Sequence, residues 1–271
     1  MQSSCLQGQT ILITRAASMN SVFRNMLEEK GATVLDLPAL VIKEPSSWQE
    51  FDRAIDELDT FSWLILTSAN GVEYFLQRLQ QLNKSIADLK HIKIAVVGKK
   101  TAKYLRKHNL EPDFIPPDFV ADSLVEHFPE ALAGQKILFP RVESGGRKVL
   151  VKELSAQNAI VVEVAGYQST CPKKIDRDVW YALLKQQVDV ITFASSKTVK
   201  NFCSLVNQAL TEYSDITLES LLKNVKIASI GPQTSITCHE QFQRVDIEAK
   251  EYTLDGLSEA IVNYNQSTSV T

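Results

Sequence analysis

The residues best suited to chemistry in this chain sit in short turns that follow apolar runs. TSAN (67–70) follows WLIL and ASSK (194–197) follows VITF, and each opens a helical stretch. VGKKT (97–101) and IGPQT (230–234) do the same, while Arg15 and Arg141 close the runs TILITR and KILFPR. The start of a helix leaves backbone N–H groups without partners and carries a partial positive charge, so such turns suit carboxylates or phosphates. In the first half of the chain the candidate ligand-binding residues are Arg15, Ser68, Asn70, Gly98 and Thr101. In the second half they are Arg141, Ser195, Ser196, Lys197, Gly231 and Thr234. Ser68, Asn70, Ser196 and Thr234 also read as plain helix caps. The two roles are compatible.

Tyr167 stands apart from these turns. It follows the apolar run VVEVAG (161–166) and precedes QST, where the chain leaves one set of alternating elements for the next. A phenol is protonated at neutral pH and can donate to a departing group, which makes Tyr167 the candidate catalytic residue. Packing as a half-buried aromatic is the ordinary alternative.

Several sharper motifs fail. VGKKTA resembles the tail of a phosphate loop, but Lys93 stands where the first glycine is required and Lys100 where Ser or Thr is. There is no GxGxxG after a strand and no GxSxG elbow, which argues against a dinucleotide fold and an α/β hydrolase. The four histidines make no HxxxH pair and the four cysteines no CxxC, so no metal site is expected. SGGR (144–147) reads either as an anion nest or as a flexible loop. A net charge of -3 offers no global field for nucleic acid or an anionic membrane, so an anionic ligand must be held by local groups. No basic leader and no long apolar span are present, and the chain reads as cytoplasmic.

The elements that must position these residues alternate along the chain. Short β-branched runs at 10–15, 63–68, 92–98, 136–141, 159–169, 189–196 and 226–231 are each followed or preceded by a helical stretch. That alternation predicts parallel sheets with right-handed crossovers. Pro38 keeps 33–42 from being one regular central strand, and the polar end NQSTSVT is expected to fray. GQTILITR (8–15) matches GQKILFPR (134–141), and FSWLILTSANGVEYF (61–75) matches VDVITFASSKTVKNF (188–202). IKIAVVGKKTAKYL (92–105) matches VKIASIGPQTSITC (225–238) in the same order. An ordered set of three matches indicates duplication of one α/β unit. Tyr167 falls opposite Leu40 in this alignment, so it is not a feature of the repeat. The expected fold is α/β, with two similar parallel-sheet, flavodoxin- or Rossmann-like domains. The repeat by itself suggests a cut near residue 130.

Read in order, TSANGV, VGKKTA, the FPR turn, VAGYQS, FASSKTV and SIGPQTS resemble the uroporphyrinogen-III synthase family, over residues 8 to 262. The resemblance implies a discontinuous domain of residues 1–37 and 173–271 and a second domain of 41–168. The linkers would lie at about 38–40 and 169–172, and the site in the cleft between the domains. It implies a cyclising hydro-lyase of tetrapyrrole biosynthesis that turns hydroxymethylbilane into uroporphyrinogen III. The terminal hydroxyl leaves to give an azafulvene, and a spiro-pyrrolenine then rearranges, inverting the last ring. Tyr167 matches the tyrosine that the family places in its cleft. No cofactor is implied. The substrate is a polycarboxylate with eight carboxylates, the expected state is a monomer, and hand-over from hydroxymethylbilane synthase is expected. A two-lobed binding protein that closes on a small polyanion without catalysis is the competing reading.

Overall fold

The computed structural model describes residues 5–16, 21–118, 121–145 and 148–268. The start of the first helical stretch, at residues 18–20, and the second half of the SGGR loop, residues 146–147, lie outside these. The strands are β1 (Thr10–Ile13), β2 (Thr33–Asp36), β3 (Val41–Lys43), β4 (Trp63–Leu66) and β5 (Lys93–Val96), then β6 (Lys136–Val142), β7 (Ile160–Thr170), β8 (Val190–Phe193), β9 (Lys226–Ser229) and β10 (Ile247–Glu248). The helices are α1 (Ser21–Glu28), α2 (Gln49–Asp56), α3 (Ala69–Gln81), α4 (Lys99–Arg106), α5 (Ala121–Glu126) and α6 (Lys148–Ala156). They continue with α7 (Arg177–Leu184), α8 (Ser196–Leu210), α9 (Leu218–Leu221), α10 (Pro232–Phe242) and α11 (Leu254–Thr268).

The chain divides into a first unit, Met1–Val41 with Thr170–Thr271, and a second unit, Ile42–Ser169. The division does not fall near residue 130, because β1 takes its place between β2 and β8, far along the chain. The first unit carries the sheet β10-β9-β8-β1-β2 and the second the sheet β3-β7-β6-β4-β5. Both sheets contain parallel ladders, with Leu12 opposite Ile191 in one and Leu64 opposite Leu138 in the other.

Matching strands by the sequence repeat puts β9-β8-β1-β2 onto β5-β4-β6-β7, the same spatial order. The likeness extends to single hydrogen bonds. Gln9 N–H donates to the Leu6 carbonyl at 3.0 Å, and Gln135 N–H to the Leu132 carbonyl at 3.0 Å. Gly8 and Gly134, the third residues of those turns, have φ of 79° and 81°, a region glycine enters without steric cost. At the far edge, Ile247 pairs with Ala228, and Phe114 bridges Ala95 in the corresponding place.

Strands β4 and β8 are buried along their whole length, so each sheet is covered on both faces. Alternate residues therefore enter different cores. Leu64 and Leu66 join Phe51, Phe75 and Leu105, whereas Trp63 and Ile65 join Phe139, Leu124 and Leu150. In the first unit Leu12 packs with Phe193 and Phe202, while Ile11 and Ile13 pack with Phe23 and Leu257.

Two elements differ from the sequence pattern. Helix α2 lies in a polar stretch and buries only Phe51, Ala54 and Ile55, at helical spacing. Of the end expected to fray, residues 265–268 continue α11, where the Asn265 amide donates to the Cys5 carbonyl at 2.7 Å, and residues 269–271 lie outside the described residues. Strand β2 stops at Asp36, and around Pro38, which has no N–H to give, Leu37 and Ala39 still donate to the carbonyls of Ile13 and Thr14, each at 2.9 Å. Among the described residues no helix is long and apolar enough to cross a membrane.

Candidate active site

In open parallel sheets the working surface lies beyond the carboxyl ends of the strands. In the second unit, β4 ends at Leu66 and Ser68 caps α3, its hydroxyl accepting the Gly71 N–H at 3.0 Å. A β-carbon at Gly71 would lie 3.3 Å from the Ser68 Oγ, so a side chain there would crowd the hydroxyl. The same Oγ lies 3.0 Å from the phenolic oxygen of Tyr167. Tyr167 reaches it because β7 carries an irregularity. The pairing runs Arg141 with Ala165 and then Val142 with Tyr167, leaving Gly166 as an extra residue. Such a bulge re-aims the side chain that follows it. Here it turns Tyr167 inward, leaving 8% of the residue exposed. Gly166 itself packs against Phe51, whose Cε2 would lie 3.4 Å from an added β-carbon.

In the first unit Ser195 caps α8 by accepting the Thr198 N–H at 3.3 Å. Ser196 donates to the Gln233 carbonyl at 2.8 Å, which ties the start of α8 to the start of α10. Gly231 is the N-cap of α10, and a β-carbon there would lie 2.7 Å from Cδ1 of Tyr252. Ser195, Ser196, Gly231 and Thr234 thus share one end of this sheet. Lys197 is exposed beside them.

Other candidates are placed differently from the bare expectation. Thr101 and Thr234 are 5% and 4% exposed, so what their turns offer is backbone rather than hydroxyl. Gly98 caps α4 and Asn70 lies half-buried in the first turn of α3. Arg141 is drawn back into its own unit, donating to Glu163 and, from Nη1, to the carbonyls of Val142 and Gly145 at 3.0 and 2.8 Å. Its charge is neutralised by the chain. Arg15, half-buried past β1, has its pKa pulled below the ordinary arginine value by burial. Among the described residues no group of three or more His, Cys, Asp or Glu could hold a metal ion.

Set beside known proteins, residues 21–259 match a family model described as uroporphyrinogen-III synthase HemD. The chain belongs to the uroporphyrinogen-III synthase family. It is similar to a uroporphyrinogen-III synthase of Synechococcus elongatus, at 49% identity over 99% of this chain and 100% of that protein. A putative uroporphyrinogen-III synthase of Methanocaldococcus jannaschii is 29% identical over 93% of this chain and 97% of that one. Two solved structures share the fold. A mutant uroporphyrinogen III synthase from the extremely thermophilic bacterium Thermus thermophilus has a TM-score of 0.59 at 17% identity, covering 96% of this chain and 99% of that one. The uroporphyrinogen-III synthetase of Helicobacter pylori has a TM-score of 0.58 at 17% identity, covering 97% and 100%. Family membership disfavours the reading as a binding protein without catalysis.

Helix α3 makes side-chain contacts, one of them to Tyr167, that motif reading missed. The ring of Tyr74 stacks on Tyr167, with centroids 5.9 Å apart and planes 23° from parallel. Next to it on α3, Glu73 accepts the Tyr104 hydroxyl, and His108 Nε2 lies 4.0 Å from the same carboxylate. Burial first, then the hydrogen bond and charge of Glu73, push the Tyr104 phenol up to about 12. Burial and the charges of Glu44 and Glu73 likewise push the Tyr74 phenol up. Nothing in residue type or local spacing announces these contacts, since each joins α3 to a different element.

Proposed function

We propose that this chain performs its family's reaction, converting hydroxymethylbilane to uroporphyrinogen III with loss of water, and that Tyr167 is the proton donor. The activity rests on family membership. The observation that carries the assignment of Tyr167 is its 3.0 Å hydrogen bond to a serine whose oxygen already accepts a backbone N–H. The Ser68 oxygen keeps a second lone pair and its own proton, so the bond can run either way; in the proposed mechanism Ser68 is the donor to the phenolic oxygen. The phenolic O–H of Tyr167 is then turned outward, toward the hydroxymethyl group.

The steps balance without a cofactor. Tyr167 gives its proton to the leaving hydroxyl, the C–O bond breaks and water departs. The pyrrole N–H proton is lost and restores the phenol, leaving an azafulvene. The freed carbon bonds to the substituted position of the last ring, whose N–H proton passes to the azafulvene nitrogen, giving the spiro-pyrrolenine. The bond from that position to the preceding bridge carbon then breaks, leaving a second azafulvene, and the bridge carbon bonds to the free α-carbon of the last ring; the C–H proton lost there returns to the azafulvene nitrogen, and the macrocycle closes with that ring inverted. Folding a flexible chain so that its ends meet can contribute about 7–11 kcal/mol in favourable cases.

The substrate's carboxylates are assigned to the turns. Backbone N–H groups at Gly98 and Asn70 serve in the second unit, and that at Ser196, with Lys197 and Arg15, in the first; the Gly231 N–H is taken by the Ser229 hydroxyl at 3.3 Å, which leaves Gly231 the role of shaping the turn. Each such contact contributes about 0.3–1 kcal/mol where exposed, so several together hold an octacarboxylate despite a net charge of -3. Arg141 is assigned to shaping its loop. A monomer in the cytoplasm, receiving substrate from hydroxymethylbilane synthase, completes the proposal.

The test supplies hydroxymethylbilane and separates the uroporphyrin isomers. Isomer III above the spontaneous isomer I background is expected; isomer I alone would overturn the activity. Tyr167→Phe is expected to lower kcat by roughly 10²–10⁴-fold, the usual worth of a positioned acid.

A further inference from the structure

The stack of Tyr74 on Tyr167 has a counterpart in the other unit. The sequence repeat matches Ser68 with Ser195, Tyr74 with Asn201 and Tyr167 with Leu40. Ser68 and Ser195 are both N-caps, so Tyr74 and Asn201 occupy the same position, nearly two turns into α3 and α8. The Asn201 amide donates to the carbonyl of Ala39, the residue before Leu40, at 2.7 Å. One helix position therefore touches the same stretch of exiting chain in both units. In the first unit the contact is a hydrogen bond to the backbone; in the second it is an aromatic face against the side chain of Tyr167.

Holding the chain does not require an aromatic residue, as Asn201 demonstrates. What the ring adds is control over orientation. A hydrogen bond to Ser68 fixes one atom of Tyr167 but leaves its ring free to swing about that contact, because χ2 of tyrosine is broad. A second ring lying 23° from parallel removes that freedom. Burial, and then the charges of Glu44 and Glu73, push the Tyr74 phenol up.

We infer that Tyr74 is a positioning residue for the reaction: it clamps the ring of Tyr167 so that the phenol meets Ser68 and the substrate hydroxyl together. The inference rests on Tyr167 being the proton donor, and the experiment separates the two.

Full-length wild type, Tyr74→Phe, Tyr74→Ala, Tyr74→Asn and Tyr167→Phe are compared for kcat, KM, the ratio of isomer III to isomer I, thermal midpoint and near-UV circular dichroism. Tyr74→Phe keeps the stack and is expected within roughly twofold of wild type in kcat. Tyr74→Ala and Tyr74→Asn are expected to lose roughly 10–100-fold in kcat with KM little changed, as misplacement of a catalytic group does. Tyr74→Asn copies the clamp of the other unit and keeps the test alive if the alanine variant fails to fold. Wild-type kcat in Tyr74→Ala or Tyr74→Asn, beside a slow Tyr167→Phe, overturns the clamp and leaves Tyr167 as the donor. A Tyr74→Phe as slow as Tyr74→Ala, or a rise in KM alone, overturns positioning by the ring face. Full activity in Tyr167→Phe removes the donor reading and the clamp with it.

Discussion

The hydroxyls of Ser68 and Tyr167 lie 3.0 Å apart although 99 residues of chain separate them, and Ser68 uses the same oxygen to cap α3. One atom thus serves both the helix and the phenol. Ser68→Ala is expected to cost about 1 kcal/mol of stability, as loss of an N-cap does. It should also lower kcat while leaving KM nearly unchanged. Ser68→Thr keeps the oxygen and should recover most of both. Urea unfolding and steady-state kinetics on the pair check this; an alanine variant with normal kcat would show that Tyr167 needs no partner.

Asp113 and Asp246 close the two sheets in the same way. Asp113 accepts the Ile94 N–H at 2.7 Å and Asp246 accepts the Ile227 N–H at 2.8 Å, each 19 residues away. Replacing either by alanine strands a backbone N–H at the start of a buried strand. The expected cost is about 1–3 kcal/mol for each, read from chemical denaturation. Asparagine, which still offers an acceptor, should cost less.

Tyr104 gives a pH signature. Its folded pKa of about 12 exceeds the ordinary 10.0, chiefly through burial and then through Glu73. The fold favours the neutral phenol, so this contribution is complete below pH 10 and is lost as pH rises through about 12. Glu73→Gln removes the charge but not the burial. Ultraviolet titration of tyrosinate should show Tyr104, and to a lesser degree Tyr74, ionising at lower pH in Glu73→Gln than in wild type; an unmoved curve would discount the Glu73 contact.

Burial pushes the thiols of Cys203 and Cys238 up to about 12, whereas Cys5 and Cys171 are only partly covered. Thiolate is the reactive form. Native alkylation near neutral pH should therefore label Cys5 and Cys171 first, and the other two only after unfolding. Peptide mapping by mass spectrometry decides it, and early labelling at Cys203 would contradict the packed contact of α8 with the sheet.

Much of this architecture is legible in local pattern. The runs TILI, WLIL, KIAV and VITF are β1, β4, β5 and β8, because a strand buried on both faces must be apolar throughout. The ordered repeat foretells that both sheets share one strand order. What escapes local pattern depends on contacts between elements. Its type and place mark Arg141 as a ligand for carboxylates, yet β6 and β7 pair so that Glu163 lies diagonally across from it. Thr101 reads as an exposed hydroxyl, but Ala102 and Leu105 share its face, and that phase turns all three inward. The second threonine follows the same rule, since Thr234 is buried with Ser235 and Cys238. Tyr74 carries no signal, since its importance lies in what β7 brings opposite it.

The position of β1 in its sheet has a consequence for synthesis. Leu12 pairs with Ile191, and Thr10 N–H donates to Asp189, 179 residues further on. When a ribosome has released residues up to Ser169, the second unit is continuous and ready to fold, but the first has only β1 and β2 of its five strands. Domains usually fold in the order they emerge; here the unit that begins first must finish last. Its two leading strands have to wait, unpaired along one edge, until β8 arrives, and exposed edges of that kind are where aggregation starts. Translation speed through residues 170–193 should therefore govern the yield of soluble protein more strongly than speed through any stretch of the second unit.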